Sequence, residues 1–132
     1  MTAKQPTILV CDDEPNVQAA IRLVLEDDYD LAFASDGEEA LRQFQAHPAD
    51  LVLLDLKMPK KDGMEVLQDL MATQPPPRIL LLTAYQSVEL AQQTTRYGAL
   101  DYLPKPFTRP QLLTAVQRAL GLPAWQRPAP AS

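Results

Sequence analysis

Asp12, Asp13 and Asp55 stand at the ends of two short apolar runs, Ile8-Leu9-Val10-Cys11 and Leu51-Val52-Leu53-Leu54. Runs of this length, bounded by polar residues, are expected as strands of a parallel sheet buried on both faces. Ligands of open α/β sheets bind outside the carboxyl ends of the strands, where the winding reverses. If the two runs are neighbours, three carboxylates crowd one shallow pocket. Such a cluster repels itself unless a hard cation joins it, and its oxygen donors suit Mg²⁺. One carboxylate is then placed to attack a phosphoryl group. Thr83 directly follows Leu80-Leu81-Leu82, and Lys105 follows Leu100 to Leu103 just beyond Pro104, so both are expected on the same rim. Phosphoryl transfer is mostly alignment and charge neutralisation, for which a nucleophile, a metal held by acids, a cation and a hydroxyl suffice.

Each residue also has a plainer reading. Asp12 and Asp13 could merely favour the positive end of a helix, Asp55 could shape a turn, Thr83 could cap and Lys105 could be a solvated charge. Their conjunction at the carboxyl rims of strands argues against coincidence. His47, beside Pro48 and far from any acid pair, is expected at the surface. Cys11 is expected as a small core residue, with oxidation next to the site as a minor alternative. Lys60-Lys61 reads as a solvated loop pair whose charge also attracts an anionic donor. Trp125 reads as a packing or linker residue.

The elements that must position these residues follow from apolar runs alternating with segments of helical period. After the first run, Val17, Ala20, Ile21, Val24 and Leu25 form an apolar stripe on a helix entered through Pro15. Leu31 to Ala34 is the second strand, and Ser35 with Glu38 or Asp36 with Glu39 forms a capping box ahead of Ala40, Leu41 and Phe44. Beyond the third strand, Pro59 to Gly63 is a turn, and Val66, Leu67, Leu70 and Met71 face a third helix inward until Pro75-Pro76-Pro77 ends it. Ile79 to Leu82 is the fourth strand, followed by a polar helix from about Ser87 to Tyr97 with Gly98 at its C′ position. Leu100 to Leu103 is the fifth strand. Thr108 and Gln111 frame the last helix, which carries Leu112, Leu113, Val116 and Leu120, with Gly121 stopping it. Five βα units in one domain imply a flavodoxin-like doubly wound (βα)5 fold, with a parallel five-stranded sheet in the order 2-1-3-4-5.

At 132 residues the chain is one domain by size. Residues 1–121 form that domain, and the proline- and alanine-rich 122–132 reads as a tail or linker. A formal charge of −5 and pI near 4.7 argue against a nucleic-acid or anionic-membrane surface. One cysteine permits no internal disulfide, and no run of 18 apolar residues or signal peptide is visible, so a soluble cytoplasmic protein is expected.

With Asp12-Asp13, Asp55-Leu56-Lys57-Met58-Pro59 and Gly63, Thr83-Ala84, and Tyr102 with Lys105-Pro106-Phe107, the chain resembles a CheY-like response-regulator receiver domain of two-component signalling. These motifs span residues 8 to 121. The stretch from Gly98 to Phe107 is especially similar to receivers that precede enhancer-dependent transcription activators. The resemblance implies that Asp55 is the phosphoacceptor, taking its phosphoryl group from a sensor histidine kinase or a phosphotransfer protein in a phosphorelay. It implies that Asp12, Asp13 and Asp55 hold Mg²⁺ with the backbone carbonyl of Lys57, Asp13 and Asp55 directly. Lys105 and Thr83 would bind phosphoryl oxygens, and Thr83 and Tyr102 would move together as a switch. Lys105-Pro106 would be a cis peptide. The domain would catalyse only its own phosphorylation and dephosphorylation and would not be an enzyme of metabolism.

Two other classes fit less well. A haloacid-dehalogenase-like phosphatase needs a second acid two residues after its nucleophile, where this chain has Lys57. A flavodoxin-like electron carrier needs a phosphate-cradling loop after the first strand, and Asp12-Asp13-Glu14-Pro15 is acidic and lacks glycine. A receiver that only docks would lack some of the five site residues. The resemblance further implies a switched surface on the fourth helix, fifth strand and fifth helix, and a phosphorylation-enhanced homodimer through it, for which Arg96, Tyr97, Asp101 and Arg118 are suited. An effector domain is expected after Ser132, with the chain cut at a linker. Tyr85 is expected to shield the phosphoryl group from water and Lys57 to add a stabilising charge.

Overall fold

A computed structural model describes residues 5–58, 60, 62–84 and 93–121. The strands are β1 (Thr7–Cys11), β2 (Asp30–Ala34), β3 (Leu51–Asp55), β4 (Arg78–Thr83) and β5 (Asp101–Pro104). The helices are α1 (Pro15–Leu25), α2 (Gly37–Ala46), α3 (Gly63–Met71), the turn of helix at 93–96, called α4, and α5 (Arg109–Gly121). All strand pairs are parallel and the order is β2-β1-β3-β4-β5, as the alternation of runs and helices implies.

The period of two along each strand divides the core in two. Leu9, Cys11, Val52, Leu54, Ile79 and Leu81 pack toward α2 and α3, where Phe44, Val66, Leu67 and Leu70 meet them. Ile8, Val10, Leu51, Leu53, Leu80 and Leu82 pack on the other face, against Ile21 and Leu25 of α1 and Leu112 and Val116 of α5. Because both faces of β1, β3 and β4 are covered, their runs are continuous rather than alternating. The outer strands β2 and β5 have one open flank and are only partly buried.

Helix stripes were legible in part. All four apolar residues expected on α3 are buried. On α1, Ile21 and Leu25 are buried, but Ala20 lies on the exposed side, while on α5 Ala119 takes the core place expected of Leu120, which is half-buried. Small residues do not reveal their side of a helix by hydrophobicity. Gly121 still belongs to α5 rather than stopping it.

At the start of α2 the Asp36 and Glu39 alternative holds. The Asp36 carboxylate accepts from the Glu39 amide at 2.8 Å, and the Glu39 carboxylate reaches back to the Ser35 amide at 3.5 Å. That amide bond, aided by Lys60, holds the Asp36 carboxyl below its ordinary range. Gly98 takes the C′ position after α4 with φ 114°; its amide donates to Thr95 O and that of Ala99 to Thr94 O, the paired bonds of a Schellman ending. The rest of the expected fourth helix, with Tyr85, and the tail with Trp125 lie outside the described residues. The Lys105-Pro106 peptide is cis as expected, and Gln74-Pro75, within the turn that follows α3, is cis as well.

Gly63 opens α3 where that helix presses on the chain leaving β3. A Cβ there would stand 2.3 Å from Leu56 Cα and 2.5 Å from Leu56 O, and the Gly63 amide donates to Leu56 O at 3.2 Å. Backbone cannot yield as a flexible side chain does. Gly63→Ala should therefore lower unfolding free energy by about 2 kcal/mol through overpacking, whereas Gly121→Ala, whose Cβ meets nothing within 4 Å, should be neutral or slightly stabilising. Urea denaturation of both variants checks this, and equal midpoints would contradict it.

Candidate functional site

The register of the sheet assembles the site. Cys11 lies opposite Leu54 and Asp55 opposite Leu82, so Asp12 follows β1 at the level of Asp55, and Thr83 ends β4 one step further on, opposite Pro104. Asp55 and Thr83 are thus the last residues of their strands rather than the first beyond them. Lys105 leaves β5 immediately after Pro104, and its amide donates to Thr83 O at 2.7 Å.

These positions converge on one ammonium. Lys105 Nζ lies 2.6 Å from Asp12 Oδ2 and 3.1 Å from Asp55 Oδ2, with the side chains of Asp12 and Asp55 only 0% and 7% exposed. Glu14 Oε1 lies 3.7 Å away on the solvent side. The other Asp12 oxygen accepts from the Glu14 amide at 2.9 Å, and Asp55 Oδ1 accepts from the Lys57 amide at 3.0 Å, so both carboxylates are held at both oxygens. Gln18 Nε2 donates to Asp12 O at 2.6 Å and ties α1 to the end of β1.

Burial raises the Asp55 carboxyl above its ordinary range; the Lys57 amide and Lys105 pull it down, while the Asp12 charge adds to burial. Burial likewise works against the charge of Lys105. The hydrogen bond to Asp12 and the charges of Asp55 and Asp12 outweigh it, so the ammonium is held above its ordinary value.

The expected acids come together: one oxygen from each of Asp12, Asp13, Glu14 and Asp55 lies within 4.8 Å of the others. Such a set of hard oxygen donors fits a divalent cation such as Mg²⁺. Asp13 is exposed at the mouth, and a cleft of about 370 Å³ is lined by Asp13, Glu14, Asp55, Lys57, Met58, Ala84 and Lys105. Thr83, next to Ala84 of that lining, is buried at the end of β4, and Tyr102 stands outward on β5, 42% exposed.

Glu14 was missed as a site residue. The signal for it was its place directly after the two aspartates, at a helix start where a short polar side chain would cap better. Cys11 corrects the minor oxidation alternative. It is fully buried, and burial with the charges of Asp12 and Glu39 pushes its thiol far above the ordinary value, away from the reactive thiolate. Lys60 is exposed, as expected of a solvated loop residue, and pairs with Asp36 at 3.6 Å; Lys61 lies outside the described residues, and His47 is exposed as expected.

The model of the response regulator receiver domain matches residues 8–117. The chain belongs to that family. The receiver is 37% identical over 121 residues to the transcriptional regulatory protein ZraR of Escherichia coli, a match that covers 91% of this chain and 27% of ZraR. The chain therefore spans about a quarter of such a relative, in line with the resemblance to receivers attached to transcription regulators. Among solved structures, the chemotaxis response regulator CheY4 of Vibrio cholerae superposes with a TM-score of 0.82 at 30% identity, covering 88% of this chain and 99% of that one. The Borrelia burgdorferi complex of CheX and CheY with BeF3 and Mg²⁺ matches at 0.83 and 26%, covering 87% and 89%. The receiver fold places this chain in phosphorylation-dependent two-component signalling. Among the described residues no helix is long and apolar enough to cross a membrane.

Removing the ammonium would leave two buried carboxylates facing each other. Lys105→Met should cost about 3 kcal/mol at pH 7, as for a broken buried pair. Without Lys105 the Asp55 carboxyl rises further above its unfolded value, so the penalty is present above the carboxylate range and disappears as pH falls below it. Denaturant midpoints measured from pH 7 to pH 3 should show the gap to the parent closing. A gap that stays constant with pH would contradict this account.

Proposed function

We propose that this receiver accepts a phosphoryl group on Asp55 from a sensor histidine kinase or a phosphotransfer protein. The observation that carries the reading is the pairing of a buried strand-end carboxylate with Lys105 inside a cluster of four acids. The Lys57 amide holds Asp55 Oδ1 and so fixes the plane of the carboxylate. An oxygen of Asp55 forms the new bond to phosphorus as the bond from phosphorus to the donor's imidazole nitrogen breaks, and the imidazole leaves. Lys105, already 3.1 Å from Asp55 Oδ2, then neutralises the phosphoryl oxygens at the same place.

Asp12, Asp13 and Asp55, with the carbonyl of Lys57, are proposed to hold Mg²⁺, with Asp13 and Asp55 in direct contact. The bound ion would supply orientation and charge neutralisation at the phosphoryl oxygens. The presence of BeF3 and Mg²⁺ in the Borrelia complex of CheX and CheY supports Mg²⁺ as the ion for this acid cluster. The domain catalyses only its own gain and loss of phosphate in this reading. Its lifetime in the phosphorylated state is assigned in part to Lys57, exposed at the cleft, and to Tyr85.

The switch is proposed to run through Thr83 and Tyr102. Lys105 is bonded through its amide to Thr83 O, so the two phosphate-binding residues move as neighbours, and Tyr102, now exposed, would turn inward as the Thr83 hydroxyl moves toward the phosphate. The surface that changes is that of α4, β5 and α5. A cleft of about 480 Å³ is lined there by Asp101, Tyr102 and Arg118 among others, with Tyr97 46% exposed nearby. Either an effector domain or a second receiver would read it.

Asp55→Asn should keep the fold and abolish incorporation of acid-labile phosphate from acetyl phosphate with Mg²⁺; a labelled Asn variant would sink the assignment. For the surface, light scattering of the parent with beryllofluoride and Mg²⁺ should shift toward a dimer. A protein that stays monomeric at high concentration would rule out the homodimer in favour of contact with an effector.

A further inference from the structure

Glu14 is the N-cap of α1, yet its side chain caps nothing: it makes no hydrogen bond to the first amides of the helix, and its backbone is extended at φ −90°, ψ 115°. Short side chains serve that position because their oxygens reach the amides two and three residues on. Pro15 at N1 presets the helical turn, so α1 starts without help from Glu14. The longer arm goes elsewhere. Its Oε1 lies 3.7 Å from Lys105 Nζ, and the side chain, 62% exposed, stands at the mouth of the cleft while the lysine is 11% exposed within it. Among the described residues Lys105 therefore has two buried acceptors, Asp12 and Asp55, and one outside, Glu14.

We propose that Glu14 is a positioning residue for Lys105, an exchangeable outer acceptor that draws the ammonium toward solvent and so moderates its engagement with a phosphoryl group on Asp55. The inference rests on the reading of Asp55 as phosphoacceptor and adds a control on it. A phosphoryl group on Asp55 needs the lysine at its own oxygens. A cation sharing the oxygens of Asp12 and Asp55 would leave those acceptors holding Lys105 less strongly, while Glu14, whose oxygen lies within 4.8 Å of theirs, would still offer its exposed carboxylate to the lysine at the mouth. An exposed ion pair of this length is weak, so the effect is a moderation and not a block.

Two variants separate contact from mere charge. Glu14→Gln keeps the length of the side chain and removes the attraction. Glu14→Asp keeps the charge but retracts the carboxylate from Lys105 toward the helix amides it can cap. The affinity of beryllofluoride with saturating Mg²⁺, by calorimetry, and the rate of labelling by acetyl phosphate are measured for both and for the parent. Both variants should bind beryllofluoride more tightly and take phosphate faster, by up to about fivefold, the range that exposed ion pairs span. Glu14→Asp behaving as the parent would overturn the proposal and leave only a field of negative charge at the mouth. Glu14→Gln matching a parent that takes both ligands would overturn it too. A parent that takes neither beryllofluoride nor phosphate overturns the reading of Asp55 beneath it.

Discussion

The ammonium of Lys105 between Asp12 and Asp55 is the interaction on which the carboxyl rim of this sheet depends. Two carboxylates from adjacent central strands are buried within reach of each other, and burial alone would drive protons onto them. The lysine answers that cost. It must come from β5, two strands away from β3, which requires the sheet to hold β3, β4 and β5 in one register. The site is therefore an electrostatic closure of the fold as much as a place for chemistry.

A parallel sheet supplies this closure economically. All five strands end on the same side, so residues far apart in sequence, from Asp12 to Lys105, meet at one rim. The period of two decides which of them meet. Asp12 continues the Ile8 and Val10 face of its strand, Asp55 the Leu51 and Leu53 face, and Lys105 follows Leu103, all on the side packed against α1 and α5. Thr83 continues the opposite face of β4, after Ile79 and Leu81. The lysine's backbone amide bridges that difference by bonding to Thr83 O, which links the charge at the rim to the strand edge bearing Tyr102.

The same geometry explains why the rim is both stable and responsive. Its backbone is bound on every side: Gly63 lets α3 press on Leu56 beyond Asp55, Gln18 ties α1 to Asp12, and the Lys57 amide holds Asp55. Its charges are less settled. Among the described residues Asp12, Glu14 and Asp55 pair with one lysine, so a small change in charge at Asp55 redistributes strong interactions while the backbone stays in place. That is a physical basis suited to a receiver domain.

Much of this was written in the chain itself. Buried strands declare themselves by continuous apolar runs, because both of their faces exclude water, and the acids, Thr83 and Lys105 were readable as strand-end residues for that reason. Gly98 marked the end of its helix by its backbone freedom, whereas Gly121, read the same way, stays within α5. Local pattern could not say that Ala119 and not Leu120 enters the core, nor that Ala20 stays outside, because a helix of mixed small and large residues fits several rotations and only packing against the sheet selects one. Nor could it say that Lys105 would join Asp12 to Asp55, or that Glu14 would leave its helix to face that lysine. Those contacts span 93, 50 and 91 residues of chain, and only the register of five parallel strands brings them to within 4 Å.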